Sequence, residues 1–296
     1  MTFPPIFTTC LATILILCGL FFMAGIGYRV KIRRRQCPRL SESMDRFSIH
    51  SRDGISLAGL SSGTHPKDHQ AVILAHGFGD NKTNCEILKL ALALQDAFDV
   101  YLFDFRGYGE SGGKSTMGVL EDLDLQAAID YVTGLGYNEI NLIGNSIGGM
   151  VAIRIASQTN QINALVSVSA STGLENETFL RRNLFKFVFT TTPGRLILKI
   201  LSGISIARDT SRIFTDRESL NPLKEVKEIS STPILFLHGS NDRIVPVKNA
   251  HALYQAAQEP KWIKVYPQGG HSITDLGKAY GDTFRQDILR WLKSQT

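Results

Sequence analysis

Cysteine is scarce and unpatterned in this chain of 296 residues: Cys10, Cys18, Cys37 and Cys85 form no C-x-x-C pair and no Cys/His cluster at metal-ligand spacing. That excludes a zinc module, offers no disulfide framework and fits a reducing compartment. Internal repeats and low-complexity tracts are absent. A basic face spread over the chain is absent too. Six basic residues, Arg29, Lys31, Arg33, Arg34, Arg35 and Arg39, crowd one short stretch and account for the net charge of +5, leaving the rest close to neutral. A nucleic-acid partner is therefore excluded.

Charge is missing altogether from residues 6–28, which are mostly apolar and long enough to cross a bilayer as a helix. A cleaved signal peptide would want a positive n-region, and residues 1–5 carry no charged side chain. The expectation is a transmembrane anchor at 1–28 followed by a basic juxtamembrane linker at 29–45. The basic residues follow the span, so the positive-inside rule puts the rest of the chain on the cytoplasmic side. The sequons at Asn81 and Asn176 matter only if that topology is reversed. Cys37 beside the membrane is a candidate for acylation, or else a plain thiol.

Beyond residue 40 short apolar runs alternate with helical stretches. Residues 46–50 and 55–60 read as a hairpin turning at Asp53-Gly54. Further strands are expected at 71–75, 100–103, 140–143, 164–168, 233–237 and 262–266, with helices at about 83–98 and 118–135 and after the later strands. This rhythm argues for a parallel sheet covered on both faces. The rhythm breaks between about 171 and 228, which holds no strand pattern and reads as a helical insertion, a cap above the sheet. From 179 to 208 the insertion carries six basic residues and no acidic one, among many large apolar side chains.

Gly144-x-Ser146-x-Gly148 stands directly after one of these strands and before a helix. A serine on so tight a strand-to-helix turn presents its hydroxyl outward, and the flanking glycines leave room for the turn. A hydroxyl becomes a nucleophile only beside a base. His271, in Gly269-Gly270-His271 after the last strand, is the candidate base. Asp242, after the 233–237 strand, is the candidate acid that orients it. Asp104 is a rival acid, but it precedes the serine and is better read as pinning its own loop. His76 and His238 end strands and are expected to bond to loop backbone. An oxyanion hole needs two backbone N–H groups. Ile147 supplies one and Phe78 the other, with Gly77 and Gly79 as neighbouring alternatives.

Taken together, His76-Gly-Phe-Gly79, Asp104-Phe-Arg-Gly-Tyr-Gly109, Gly144-Asn-Ser-Ile-Gly148, Gly239-Ser-Asn-Asp242 and Gly270-His271 resemble the α/β-hydrolase superfamily. The likeness is greatest to serine hydrolases of the lysophospholipase, monoacylglycerol lipase and serine-aminopeptidase type, including the membrane-anchored Bem46-like group. The resemblance spans residues 46 to about 291. It implies an α/β-hydrolase fold over 46–296, with an eight-stranded, mostly parallel sheet flanked by helices, a helical cap and a Ser146-Asp242-His271 triad. It also implies no cofactor and no metal. Asn145 departs from the pattern, since many relatives have His, Asp or Glu there; that position tunes the surroundings of the turn.

Three functions compete. One is hydrolysis of ester or thioester bonds in acyl or lipid substrates at a membrane, which the basic, apolar cap favours. A peptidase on the same triad would need an acidic cap residue for a substrate amino terminus, and Glu175 and Glu177 are the candidates. A non-catalytic membrane-tethered module would usually have lost a triad member, and none is missing.

Overall fold

The computed structural model describes residues 37–66, 70–173, 179–202, 204–207 and 221–296. The expected anchor at 1–28 and residues 29–36 of the linker lie outside the described residues. Among those residues no helix is long and apolar enough to cross a membrane.

Eight strands form one sheet: β1 Asp45–His50, β2 Ser56–Ser61, β3 Gln70–Ala75, β4 Phe98–Phe103, β5 Ile140–Asn145, β6 Ile162–Val168, β7 Ile234–Gly239 and β8 Lys261–Tyr266. Their order is β1-β2-β4-β3-β5-β6-β7-β8. The first two pairings are antiparallel and all others parallel. Every residue of β4, β5 and β7 is buried. The continuous apolar runs thus reflect cover on both faces.

Two cores result. Helices α2 Cys85–Leu94, α9 Ser272–Tyr280 and α10 Asp282–Lys293 close one face around Leu90, Val100, Ile143 and Phe284. On the other face α3 Glu121–Gly134, α4 Ile147–Gln158 and α8 Lys248–Ala256 pack over Ile73, Leu142, Leu165 and Phe236. A single turn, α1 Pro38–Ser41, precedes the sheet.

The helix expected at 83–98 ends at Leu94, and β4 starts at Phe98, two residues early. Phe98 pairs with Gln70, and the buried Asp99 beside it accepts from the Tyr137 hydroxyl and from His65 N–H. A polar pairing inside the sheet extends the strand where the apolar pattern alone did not. The helix expected from 118 starts at Glu121, whose carboxylate accepts from Thr116 N–H and Gly118 N–H.

Between β6 and β7 lies the insertion. It contains α5 Phe179–Thr190, α6 Thr192–Ser202 and the short α7 Pro222–Glu225. Val188, Phe189, Leu198, Ile204 and Ile206 join the core on the α3–α4 side. Glu175, Asn176, Glu177 and Arg208 lie outside the described residues.

One expectation is overturned. Cys37 and Cys85 form a disulfide, with their Cα atoms 5.1 Å apart across a sequence separation of 48. The turn after Cys37 brings its N–H onto Thr83 O at 3.2 Å, next to the start of α2. A separation of 48 residues has no sequence signature, so the pairing is tertiary in origin. It replaces the reading of unpaired thiols and removes Cys37 as a free acylation site. Closing a loop of this length is worth about 4 kcal/mol in a chain-entropy account. Such a bond persists in an oxidising compartment, so it no longer supports a reducing one.

Candidate active site

Ser146 sits where β5 turns into α4, with φ 55° and ψ −112°. A non-glycine residue holds this conformation only when its surroundings impose it. The neighbours do so by leaving no room. A Cβ on Gly144 would lie 2.5 Å from Gly148 O, and one on Gly148 would collide with Ala75 O. Ser169 (φ 52°) and Ser272 (φ 75°) are also left-handed, and Ser272 N–H donates to Ser169 Oγ at 3.1 Å. Strained backbone therefore collects around the serine.

The structure brings the three sequence-predicted side chains into line. Ser146 Oγ is 2.9 Å from His271 Nε2, and His271 Nδ1 is 2.6 Å from Asp242 Oδ2. All three are buried, Ser146 most exposed at 8%. His271 caps α9, and its N–H donates to Asp275 Oδ2 at 2.9 Å. Asp242 Oδ1 accepts from Ile244 N–H at 2.8 Å and Val245 N–H at 2.9 Å. Burial pushes the Asp242 carboxyl up, but hydrogen bonds from His238 and His271 outweigh it and hold the group well below the usual carboxylate range. An ionised acid against Nδ1 fixes the imidazole with Nε2 facing the serine. In that state Nε2 can take the hydroxyl proton.

Two residues do more than their sequence reading gave them. His238, fully buried, places Nε2 2.8 Å from Val245 O, as expected of a loop-bonding histidine, but also 3.2 Å from Asp242 Oδ2. A second imidazole thus stands against the acid. The signal for it was the i,i+4 spacing of His238 and Asp242 after one strand. Asn145 Oδ1 accepts from Ile273 N–H at 3.0 Å, tying the turn of the serine to the helix that follows His271.

Phe78 and Ile147 flank the serine from two elements. Ile147 opens α4, where the first N–H groups have no partner inside the helix. The loop carrying Phe78 lies against the serine turn: a Cβ on Gly77 would stand 3.2 Å from Ser146 Cβ. His76 anchors that loop, its Nδ1 2.8 Å from Gly77 O and its Nε2 accepting from Phe105 N–H at 3.0 Å. Burial lowers the His76 pKa. Asp104 is structural, as expected: it accepts from Lys82 Nζ at 2.5 Å, Lys82 N–H at 2.8 Å and Glu110 N–H at 2.9 Å.

Above the serine the cap is aromatic. Phe189 meets Phe78 edge-on at 5.9 Å between centroids and stacks with Phe185 at 5.6 Å. Ile147, Met150 and Met117 pack into the same cluster. A separate cavity of about 380 Å³ lies away from the serine, at the disulfide, lined by Cys37, Asn84, Cys85, Glu86, Lys89, Thr274 and Lys278. Among the described residues no cluster of His, Cys, Asp or Glu is arranged to hold a metal ion.

A serine on a strained strand-to-helix turn, on an eight-stranded sheet of this order, defines an α/β hydrolase, and the chain belongs to that superfamily. Residues 70–192 match the family described as alpha/beta hydrolase fold, and residues 218–275 match the one described as serine aminopeptidase, S33. Its relatives are of Bem46 type. The protein YfhR of Escherichia coli O157:H7 is 26% identical over 258 residues, covering 85% of this chain and 81% of YfhR. Protein bem46 of Schizosaccharomyces pombe is 26% identical over 245 residues, 80% of this chain and 73% of bem46. Among solved structures, the Pyrococcus furiosus esterase Pf2001 superposes with a TM-score of 0.69 at 22% identity, covering 88% of this chain and 94% of the esterase, a likeness of fold.

Proposed function

We propose that this hydrolase cleaves carboxylic ester or thioester bonds of acyl or lipid substrates, with Ser146 as nucleophile, His271 as base and Asp242 as the acid that orients it. The observation that carries the reading is the buried line from Ser146 Oγ through His271 to Asp242 beneath the aromatic roof of Phe78, Phe185 and Phe189. Ser146 Oγ attacks the carbonyl carbon while His271 Nε2 takes its proton. The N–H groups of Ile147 and Phe78 receive the developing oxyanion. Collapse of the tetrahedral intermediate expels the alcohol or thiol, which takes the proton from His271 and leaves an acyl-enzyme. Water then attacks the acyl carbon, again giving its proton to His271, and the acid leaves as Ser146 recovers its hydrogen. Asp242 stays ionised throughout and stabilises the imidazolium.

The apolar roof favours an acyl chain over a charged peptide terminus. Amide cleavage is the second reading, favoured by the serine-aminopeptidase match over residues 218–275. The two separate on substrates. A series of 4-nitrophenyl esters and acyl thioesters from two to sixteen carbons, run beside aminoacyl 4-nitroanilides, gives kcat/KM for each bond type. Turnover that rises with chain length while the anilides stay inert supports the ester reading. Preferential turnover of the anilides overturns it.

The uncharged run at 6–28 anchors the chain in a membrane in this reading. The basic stretch after it argues for the cytoplasmic face, and the Cys37–Cys85 bond argues for an oxidising one. Maleimide tagging in intact cells, followed by denaturation, separates them. Two tagged thiols at Cys37 and Cys85 place the domain in the cytoplasm, and a pair that tags only after reduction places it outside.

A further inference from the structure

We propose that the catalytic edge of the sheet faces the bilayer, and that the exposed side of the cap lies on an anionic lipid surface. The inference rests on the anchor reading above.

Attachment is the first support. Cys37 is bound to Cys85 at the first residue of α2, and its N–H donates to Thr83 O. Residues 76–84 lead from the C-terminal end of β3 to that helix, past the serine turn, so this is the catalytic edge. Only residues 29–36 separate Cys37 from the apolar run. Fully extended they reach roughly 30 Å. A domain of this length has a radius of gyration of about 18 Å and is therefore about 45 Å across. The linker is too short to pass around the domain, so the opposite edge cannot be turned to the membrane. The edge carrying Ser146, where the tether joins the domain, is the one held within reach of the bilayer.

The surface presented there is the second support. Among the described residues the exposed large apolar side chains are Phe187 (44%), Leu196 (56%), Ile200 (73%) and Trp262 (42%). Three of these four belong to the cap. Leu196 and Ile200 are one turn apart on α6 and share a stripe. Lys199 is exposed on the same side and Lys186 is exposed next to Phe187. From 179 to 202 the sequence holds Arg181, Arg182, Lys186, Arg195 and Lys199 and no acidic residue. Apolar side chains among cations, with no anion to repel, suit the boundary between anionic headgroups and acyl chains. A second copy of the chain would bring its own cations against these and repel them. On α5 the exposed Phe187 is two residues from Phe189, which covers Phe78. Two residues apart on a helix, these rings point to opposite sides, so the docked side is the outer side of the helix whose inner side roofs the serine, and an acyl chain leaving the bilayer has one helix to pass.

The two native tryptophans provide the control. Trp262 is the second residue of β8 and stands 5.7 Å, centroid to centroid, from Trp291 near the end of α10. Both are at the edge away from the serine. The test uses the full chain reconstituted into vesicles of phosphatidylcholine and phosphatidylglycerol with brominated acyl chains, which quench tryptophan at the membrane. Wild type should fluoresce nearly as in unbrominated vesicles. Leu196→Trp and Ile200→Trp should each add emission that bromolipid removes by half or more, and Lys186→Glu with Lys199→Glu should restore most of it. Flotation with the vesicles but no quenching at 196 or 200 would overturn the orientation and leave the anchor standing. Quenching of the native pair would overturn it too, by placing the wrong edge at the bilayer. Wild type that fails to float would overturn the anchor, and this inference with it.

Discussion

Asp104 and Asp242 each follow a buried strand of the same sheet, each is buried, and each accepts hydrogen bonds from backbone N–H groups. Their partners differ. Asp104 holds the ammonium of Lys82, and Asp242 stands between the imidazoles of His238 and His271. A protonated amine has no lone pair to take a proton from serine, so a carboxylate paired with it can only hold a loop in place. A neutral imidazole has a free ring nitrogen on its far side. The same carboxylate there orients a base. The contrast shows that an acid at the end of an α/β strand has no role of its own until its partner is known.

The largest expected effect breaks the Asp242 side. Asp242→Asn should lower kcat by about 10⁴-fold with little change in melting temperature, because the amide favours the wrong imidazole tautomer. Asp104→Asn should do the reverse. It leaves the buried Lys82 ammonium with the half-exposed Glu110 carboxylate, 2.7 Å away, as its remaining anionic partner, and urea unfolding should show a loss of about 1–3 kcal/mol, with kcat per folded molecule nearly kept. Matching losses of kcat in the two variants would erase the distinction.

The Lys82 loop is held at its far end by the disulfide. Cys37→Ser with Cys85→Ser should cost up to about 4 kcal/mol, read as a lower denaturant midpoint against wild type. His238→Leu sharpens the Asp242 side. Removing one donor should lower kcat by about ten- to a hundredfold, with KM held, while His238→Gln keeps a donor and most of the rate. The smallest effect concerns pH. The His76 pKa is lowered in the folded state from 6.5, so below about 6.5 the unfolded chain binds more protons there and stability falls with pH. His76→Gln should flatten the slope of unfolding free energy between pH 7.5 and 5.5, measured in urea.

Much of this edge is legible in the sequence because its parts are local. The serine turn needs its glycines and its flanking strand and helix, all within about ten residues, and His271 and Asp242 each follow their own strand. The rest depends on distance. The second role of His238 arises from a loop folding back on itself, and its assignment to loop backbone captured only the Val245 contact. Phe98 and Asp99 extend β4 through contacts with Gln70, His65 and Tyr137, residues 28 to 38 positions away, which an apolar pattern does not register. The Cys37–Cys85 pair has no spacing rule. In the cap, sequence shows composition, whereas which aromatic covers Phe78 is decided by packing.

The most direct test of the account is covalent labelling of purified protein by a fluorophosphonate, read by intact mass and by peptide mapping. Wild type should gain one adduct, on the peptide carrying Ser146, and folded Ser146→Ala should gain none. A folded wild type that stays unlabelled, or that carries the adduct on another residue, would contradict the assignment of Ser146 as an activated nucleophile.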